Sequence, residues 1–234
     1  MRSILFDVDD TLYDRMDSFL PGYLQYLEKY VPDVPRRTVF NAFIRRGNEV
    51  YEDAMSGRMS MEEMYIFRIS AAMEDCGGKI TPEEALGFQA EYQKAQKNLH
   101  LLPGLAEALT ACAERGDFLG VVTNGKVENQ MNKCRSLRLE RWIPDEQILP
   151  SMEIGISKPD PRIFAEAQRR WNLDPEGIWY VGDSYENDIC GARGAGWHTV
   201  WYYILGRSQK DSSLHADKIV RTPEELCRVL TEGM

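Results

Sequence analysis

Short apolar runs rich in β-forming residues recur along this chain, set between stretches that suit helices. The runs are SILFD near the start, DFLGVVTNG (117–125), GIWYVGDS (177–184), WHTVWYYIL and ADKIV. The helix-like stretches GLAEALTACAERG and PRIFAEAQRRWNL precede the second and third. Such alternation folds as parallel strands joined by crossover helices. Strands that are apolar on both sides need cover on both faces of the sheet. The expected fold class is therefore α/β, a mainly parallel sheet between helical layers.

One stretch breaks the pattern. Residues 15–101 lack apolar β runs and are rich in helix formers. Ser60–Glu63 and Thr81–Glu84 have capping-box spacing, CGGK reads as a helix stop, and LLPG marks the return to alternation. An all-helical insertion over 15–101 is expected, with 1–14 and 102–234 forming the α/β core. In that core Asp160 before Pro161 reads as an N-cap. TPEEL, with Thr222 and Glu225, starts the last helix. GRSQKDSSLHAD (206–217) reads as a polar loop of the core rather than a linker.

Composition narrows the function classes. The chain has 234 residues, 43% hydrophobic and 28% charged, which suits one or two globular domains. A net charge of -9 argues against a nucleic-acid polymer or an anionic membrane as partner. The apolar run in MRSILFDVDD is too short for a signal-peptide core, and no segment approaches a membrane span. A cytoplasmic protein is expected, as a monomer or weak homodimer. The five cysteines are scattered without a CxxC, so reduced thiols are expected. The three histidines are far apart, and neither an HxxxH zinc pair nor a GxSxG elbow occurs.

Chemistry concentrates at strand ends, where open α/β sheets bind ligands. The first strand delivers Asp7, Asp9 and Thr11. The second delivers Thr123, Asn124 and Gly125. The third delivers Asp183, with Asp188 close behind, and Lys158 precedes PDPRIF. Crowded carboxylates stay ionised together only if a cation offsets them. Oxygen donors without His or thiolate favour Mg²⁺ over zinc. Mg²⁺ among carboxylates commonly serves a phosphate substrate, and a lysine with small polar residues can hold phosphoryl oxygens. Asp7 and Asp9 lie two apart, so an extended backbone points both the same way. One can attack phosphorus while the other handles the leaving group's proton.

These residues resemble a known family. DVDDTL is similar to the DxDxT signature of the haloacid dehalogenase-like hydrolases. VVTNG resembles their second motif, SKPDP the motif with the lysine, and VGDSYEND the GDxxxxD acidic motif. All four stand in order, each at a strand end or the loop after it. The resemblance implies a Rossmann-like core with an inserted helical cap of the C1 type. It implies that Asp7 is the nucleophile of an aspartyl-phosphate, and that Asp9 is the acid and base, its carbonyl also binding Mg²⁺. Thr123 and Asn124 would bind the phosphoryl group, and Lys158 would offset charge on nucleophile and phosphoryl oxygens. Asp7, Asp9, Asp183 and Asp188 would make up the metal site. The implied activity is Mg²⁺-dependent hydrolysis of a small phosphorylated metabolite.

Many relatives carry Gly where this chain has Asp10, and DDTLY looks most like nucleotidase-type branches. The dehalogenating branch lacks the second acid of DxD, so Asp9 points to phosphate chemistry. A phosphomutase is the alternative enzyme, but YDRMDSFLPGY lacks the His that follows the first motif in sugar-phosphomutase relatives. A receiver-like phosphoacceptor or a non-catalytic module is the alternative of another class. The cap-sized insertion and the DxD spacing speak against the first, and the complete acid–lysine set speaks against the second. In the insertion, Arg45, Arg46, Tyr51, Arg58 and Arg68 either read a leaving group or form a solvated face. Met55, Met59, Met61 and Met64 are expected in the insertion's own core, with a soft lining for varied substrates as the alternative.

Overall fold

The computed structural model describes residues 2–204 and 216–234. The chain divides into two compact units, Met1–Asp14 with Leu99–Met234, and Arg15–Asn98. The larger unit carries strands β1 (Ser3–Phe6), β2 (Phe118–Thr123), β3 (Ile148–Pro150), β4 (Ile178–Gly182), β5 (His198–Tyr202) and β6 (Lys218–Val220). They form one sheet in the order β3-β2-β1-β4-β5-β6, and every neighbouring pair is parallel. The α/β class read from the sequence holds. β3 escaped that reading because ILP is only three residues long. The polar loop 206–217 lies almost wholly outside the described residues, as do His215 and the last residue of WHTVWYYIL.

The side-chain period of a strand explains the two-sided cover. Ile4 and Phe6 of β1 join one apolar cluster, with Leu105, Leu109, Val121 and Val181. Leu5, between them, joins another, with Val122, Ile163, Phe164 and Tyr180. Ile4, Leu5 and Phe6 have no exposed surface, and burying each contributes about 1.5–3 kcal/mol before entropic costs. That burial fixes where β1 ends, and so where the next residue, Asp7, stands. The chain leaves and re-enters this unit at one place, for the Leu102 N–H donates to the Leu12 carbonyl at 2.9 Å. Leu99, at the end of the helix-rich stretch, packs in the first cluster and donates its N–H to Ser136 Oγ at 2.8 Å.

The smaller unit is built on helices Arg15–Gly22, Arg36–Glu49, Met61–Asp75 and Pro82–Ala95, with shorter turns between them. Ser60 and Thr81 each close a capping box with the glutamate three residues on. Its core is aromatic, with the Phe19 ring centre 5.2–5.5 Å from those of Phe40, Phe43 and Phe88. Gly22 allows that packing, because a Cβ there would lie 2.8 Å from the Phe88 ring. The methionines form a small cluster of their own, Met55, Met59, Met61 and Met64 with Val50 and Ala54.

Candidate active site

β1 and β4 are neighbours, and the chain order reverses between them, since β2 and β3 lie on one side of β1 and β4 to β6 on the other. That is the switch point at which open α/β sheets hold ligands. Asp7 leaves β1 there, its N–H donating to the Val181 carbonyl of β4 at 2.9 Å. Asp183 follows β4 directly.

Lys158 lies at the centre. Its Nζ is 2.8 Å from Asp7 Oδ1, 2.6 Å from Asp188 Oδ1 and 2.8 Å from the Tyr180 hydroxyl. Tyr180 in turn donates to the Val122 carbonyl of β2 at 2.6 Å. The Lys158 side chain is 2% exposed, so its charge would be costly without the two carboxylates. Burial pushes its pKa down, but Asp188 and Asp7 outweigh that and hold it well above the usual lysine value. Burial raises the Asp7 carboxyl, as do the charges of Asp188 and Asp9. Lys158 offsets them only in part, and Asp7 is pushed up to about 6.

Asp188 is held from both sides. Its Oδ2 accepts from the Ser184 N–H at 2.9 Å, and Ser184 Oγ caps the single turn Tyr185–Cys190 that carries Asp188. Gly182 makes room for it, because a Cβ there would stand 2.5 Å from the Asp188 Cγ. Asp7, Asp183 and Asp188 each offer one oxygen within 4.8 Å of the others. Oxygens around Mg²⁺ at about 2.1 Å lie about 3–4.2 Å apart, so the trio fits such an ion with a small contraction.

Thr123 ends β2, and its Oγ1 is buried without a hydrogen-bond partner; the same holds for Thr11. Buried hydroxyls are rarely left so, and a bound oxyanion would satisfy them. Asn124 is more committed. Its Oδ1 accepts from the Lys158 N–H at 2.8 Å and its Nδ2 donates to the Lys158 carbonyl at 2.9 Å. One Nδ2 hydrogen is left for a ligand, and the reciprocal pair fixes the loop that carries Lys158.

Asp9 stands apart from the trio. Lys133 Nζ lies 2.8 Å from its Oδ1 and 2.6 Å from its Oδ2. The Tyr13 hydroxyl donates to its Oδ1. Gln130 reaches Oδ2 at 3.5 Å and the Asn124 carbonyl at 3.0 Å. The sequence reading did not single out Lys133, Gln130, Tyr13 or Tyr180. A signal for two of them was present, because Gln130 and Lys133 are three apart on the helix that follows VVTNG and so share a face.

Asp10 is buried and adopts φ 61, in the turn where the Leu12 N–H meets the Val8 carbonyl at 3.1 Å. That backbone region favours Gly and, among other residues, Asn and Asp. The position therefore demands a conformation that either Gly or Asp supplies.

The comparisons with known proteins agree with this geometry. The profile of the haloacid dehalogenase-like hydrolases matches residues 4–202. A glyceraldehyde 3-phosphate phosphatase of Methanopyrus kandleri is 28% identical over 208 residues, covering 86% of this chain and 83% of that one. Among solved structures, the HAD-hydrolase YfnB of Bacillus subtilis, bound to magnesium, aligns with TM-score 0.69 at 22% identity over 98% of both chains. A dehalogenase with an intermediate complex aligns with TM-score 0.76 at 18% identity, over 99% of this chain and 97% of that one. At these identities the two structures speak to fold alone. Four motifs in order, their convergence at one switch point and the match over 4–202 agree: this chain belongs to the haloacid dehalogenase-like hydrolase family.

Proposed function

We propose that this chain is a Mg²⁺-dependent phosphatase that hydrolyses a small phosphomonoester through an aspartyl-phosphate on Asp7. The observation that carries the reading is the buried Lys158 ammonium shared between Asp7 and Asp188, with Asp183 completing an oxygen-only trio. That the M. kandleri relative is a phosphatase supports it.

Each residue has a task that its surroundings suit. Asp7, at the end of a rigid buried strand, supplies the oxygen that attacks phosphorus. It must be ionised to do so, and Lys158 favours the ionised form. Mg²⁺ held by Asp7, Asp183, Asp188 and the Asp9 carbonyl would neutralise charge on the phosphoryl oxygens and favour ionised Asp7 further. Thr123 Oγ1 and the remaining Nδ2 hydrogen of Asn124 would donate to the phosphoryl oxygens, beside Lys158. Asp9 would protonate the departing oxygen, then take a proton from the water that opens the acyl phosphate.

Asp9 also decides between two chemistries open to this fold. A halide departs as a stable anion and needs no proton, whereas an alkoxide does. Lys133, Tyr13 and Gln130 position the Asp9 carboxyl, and in its protonated form it can give the alkoxide the proton that the second case needs. The test is a panel of phosphorylated metabolites assayed with Mg²⁺ and with a chelator. Hydrolysis that needs Mg²⁺ and is lost in Asp7→Asn supports the reading. Full activity of Asp7→Asn, or release of halide from 2-haloacids without phosphatase activity, contradicts it.

A further inference from the structure

The peptide group between Asp183 and Ser184 links two of the three carboxylates at the switch point. Its N–H, that of Ser184, donates to Asp188 Oδ2 at 2.9 Å. Its carbonyl, that of Asp183, accepts from the Trp201 indole Nε1 at 2.9 Å. A peptide group is planar, and in the trans form its C=O and N–H point in opposite directions. One rigid plate is therefore gripped at both ends, by Asp188 at one and by Trp201 at the other. Hydrogen bonds in such a chain polarise one another, so the indole also strengthens the bond to Asp188.

Trp201 is well placed to hold that grip. It lies on β5 in register with Gly182 of β4, the residue before Asp183. It is buried. The Tyr185 ring centre is 5.1 Å away, and the Tyr203 ring meets it edge-on at 5.0 Å. Tyr203 is fastened in turn, its N–H donating to the Val220 carbonyl of β6 at 2.8 Å. Aromatic contacts of this geometry orient a ring as well as bury it. A buried indole N–H usually finds some acceptor. Here the acceptor belongs to the loop that carries Asp183 and Asp188. Lys158 fixes Asp7 and Asp188, whereas Trp201 fixes the peptide on which both Asp183 and the Ser184 donor depend.

We infer, on the Mg²⁺ reading of the trio, that Trp201 is a positioning residue for the cation site. Through the 183–184 peptide it sets the directions of Asp183 and Asp188, and with them the affinity for Mg²⁺. Groups that orient metal ligands without touching the metal commonly carry about a tenfold to hundredfold share of its affinity. Without the indole N–H the peptide can turn about its flanking bonds. Asp183 then leaves the position in which its oxygen lies within 4.8 Å of those of Asp7 and Asp188, and Asp188 loses a firmly aimed donor.

The experiment titrates the whole chain with Mg²⁺ alone, by calorimetry, with no ester present. Two replacements at position 201 are compared with the parent. 3-Benzothienylalanine keeps the shape of the ring and puts sulfur in place of the N–H. Trp201→Phe keeps an aromatic ring without the donor. Both should weaken Mg²⁺ binding about tenfold or more. Trp179→Phe removes a tryptophan from the neighbouring strand that stacks on His198, and should leave Mg²⁺ affinity unchanged. Where an ester is hydrolysed, both position-201 chains need correspondingly more Mg²⁺ for half-maximal rate and reach the parent's kcat once Mg²⁺ saturates. General loosening of the sheet would not give that split. Thermal melts in chelating buffer check folding, and the isosteric replacement decides the matter if Trp201→Phe does not fold. Parent-like affinity in the benzothienylalanine chain, or an equal loss in Trp179→Phe, overturns this role for Trp201 and leaves the phosphatase reading standing. Absence of Mg²⁺ binding by the parent overturns both. Mg²⁺ binding without hydrolysis of any ester overturns the phosphatase reading alone, and the compared affinities still decide on Trp201.

Discussion

Lys133 and Asp9 are 124 residues apart in sequence, yet the lysine Nζ lies within 2.8 Å of both carboxylate oxygens. Both side chains are mostly buried, at 12% and 18% exposure. In such surroundings an ion pair is strong enough to fix orientation, whereas an exposed pair contributes little. Tyr13 and Gln130 reach the same carboxylate, so both join Lys133 in holding Asp9.

If Asp9 moves the proton, Lys133→Met should lower kcat by about tenfold to a hundredfold and change KM little. Esters with poor leaving groups should lose more than aryl esters, because they depend most on protonation. Lys133→Arg should retain part of the rate. The measurement is kcat against leaving-group pKa for parent and variants. An equal loss across the series would assign Lys133 a purely structural role.

The Asp7 carboxyl, raised to about 6 in the fold from an ordinary 3.8, links stability to pH. The folded state binds this proton more tightly than the unfolded chain does. The stabilisation from it is complete below pH 3.8 and is lost as pH rises through about 6. In a chelating buffer, Asp7→Asn should therefore gain stability relative to the parent between those limits, by on the order of 2–3 kcal/mol. Excess Mg²⁺ should restore the parent's stability above pH 6. Denaturant melts across this range test the linkage, and a parent–variant difference that does not vary with pH would contradict it.

Gly182→Ala tests the packing that sets Asp188. The new Cβ would stand 2.5 Å from both Cβ and Cγ of Asp188, so the carboxylate must move off Lys158 or the strand must shift. Overpacking of this kind costs about 1–3 kcal/mol. A drop in kcat/KM of at least about tenfold is expected as well, since a small misplacement of catalytic groups is enough to slow chemistry. Parent-like kinetics would show that Asp188 need not stay where it is.

The apolar run of β1 and the four motifs made the sheet and the acid–lysine set legible in the sequence, because local patterns carry both. Asp7, Lys158 and Asp188 do come together as that reading expects. What it missed depends on tertiary contact. β3 is too short to show a period. Lys133 and Tyr180 look like an ordinary helix lysine and an ordinary strand tyrosine until the fold brings Asp9 and Lys158 to them. Asn124 has a phosphate-binding look in the sequence, and its pairing with the Lys158 backbone, which leaves one Nδ2 hydrogen over, shows only in the fold. Trp201 looks like strand packing in the sequence, and only the fold sets its indole on the Asp183 carbonyl.

The central claim is covalent chemistry at Asp7, and the most direct measurement is mass spectrometry of acid-quenched protein. Asp9→Asn, incubated with 4-nitrophenyl phosphate and Mg²⁺, should accumulate the intermediate, because the aryl leaving group needs no acid while hydrolysis lacks its base. The account predicts one phosphoryl group on the peptide that carries Asp7, and none in the Asp7→Asn, Asp9→Asn double variant. A phosphoryl group on another residue, or rapid turnover by the double variant with no labelled protein, would contradict it.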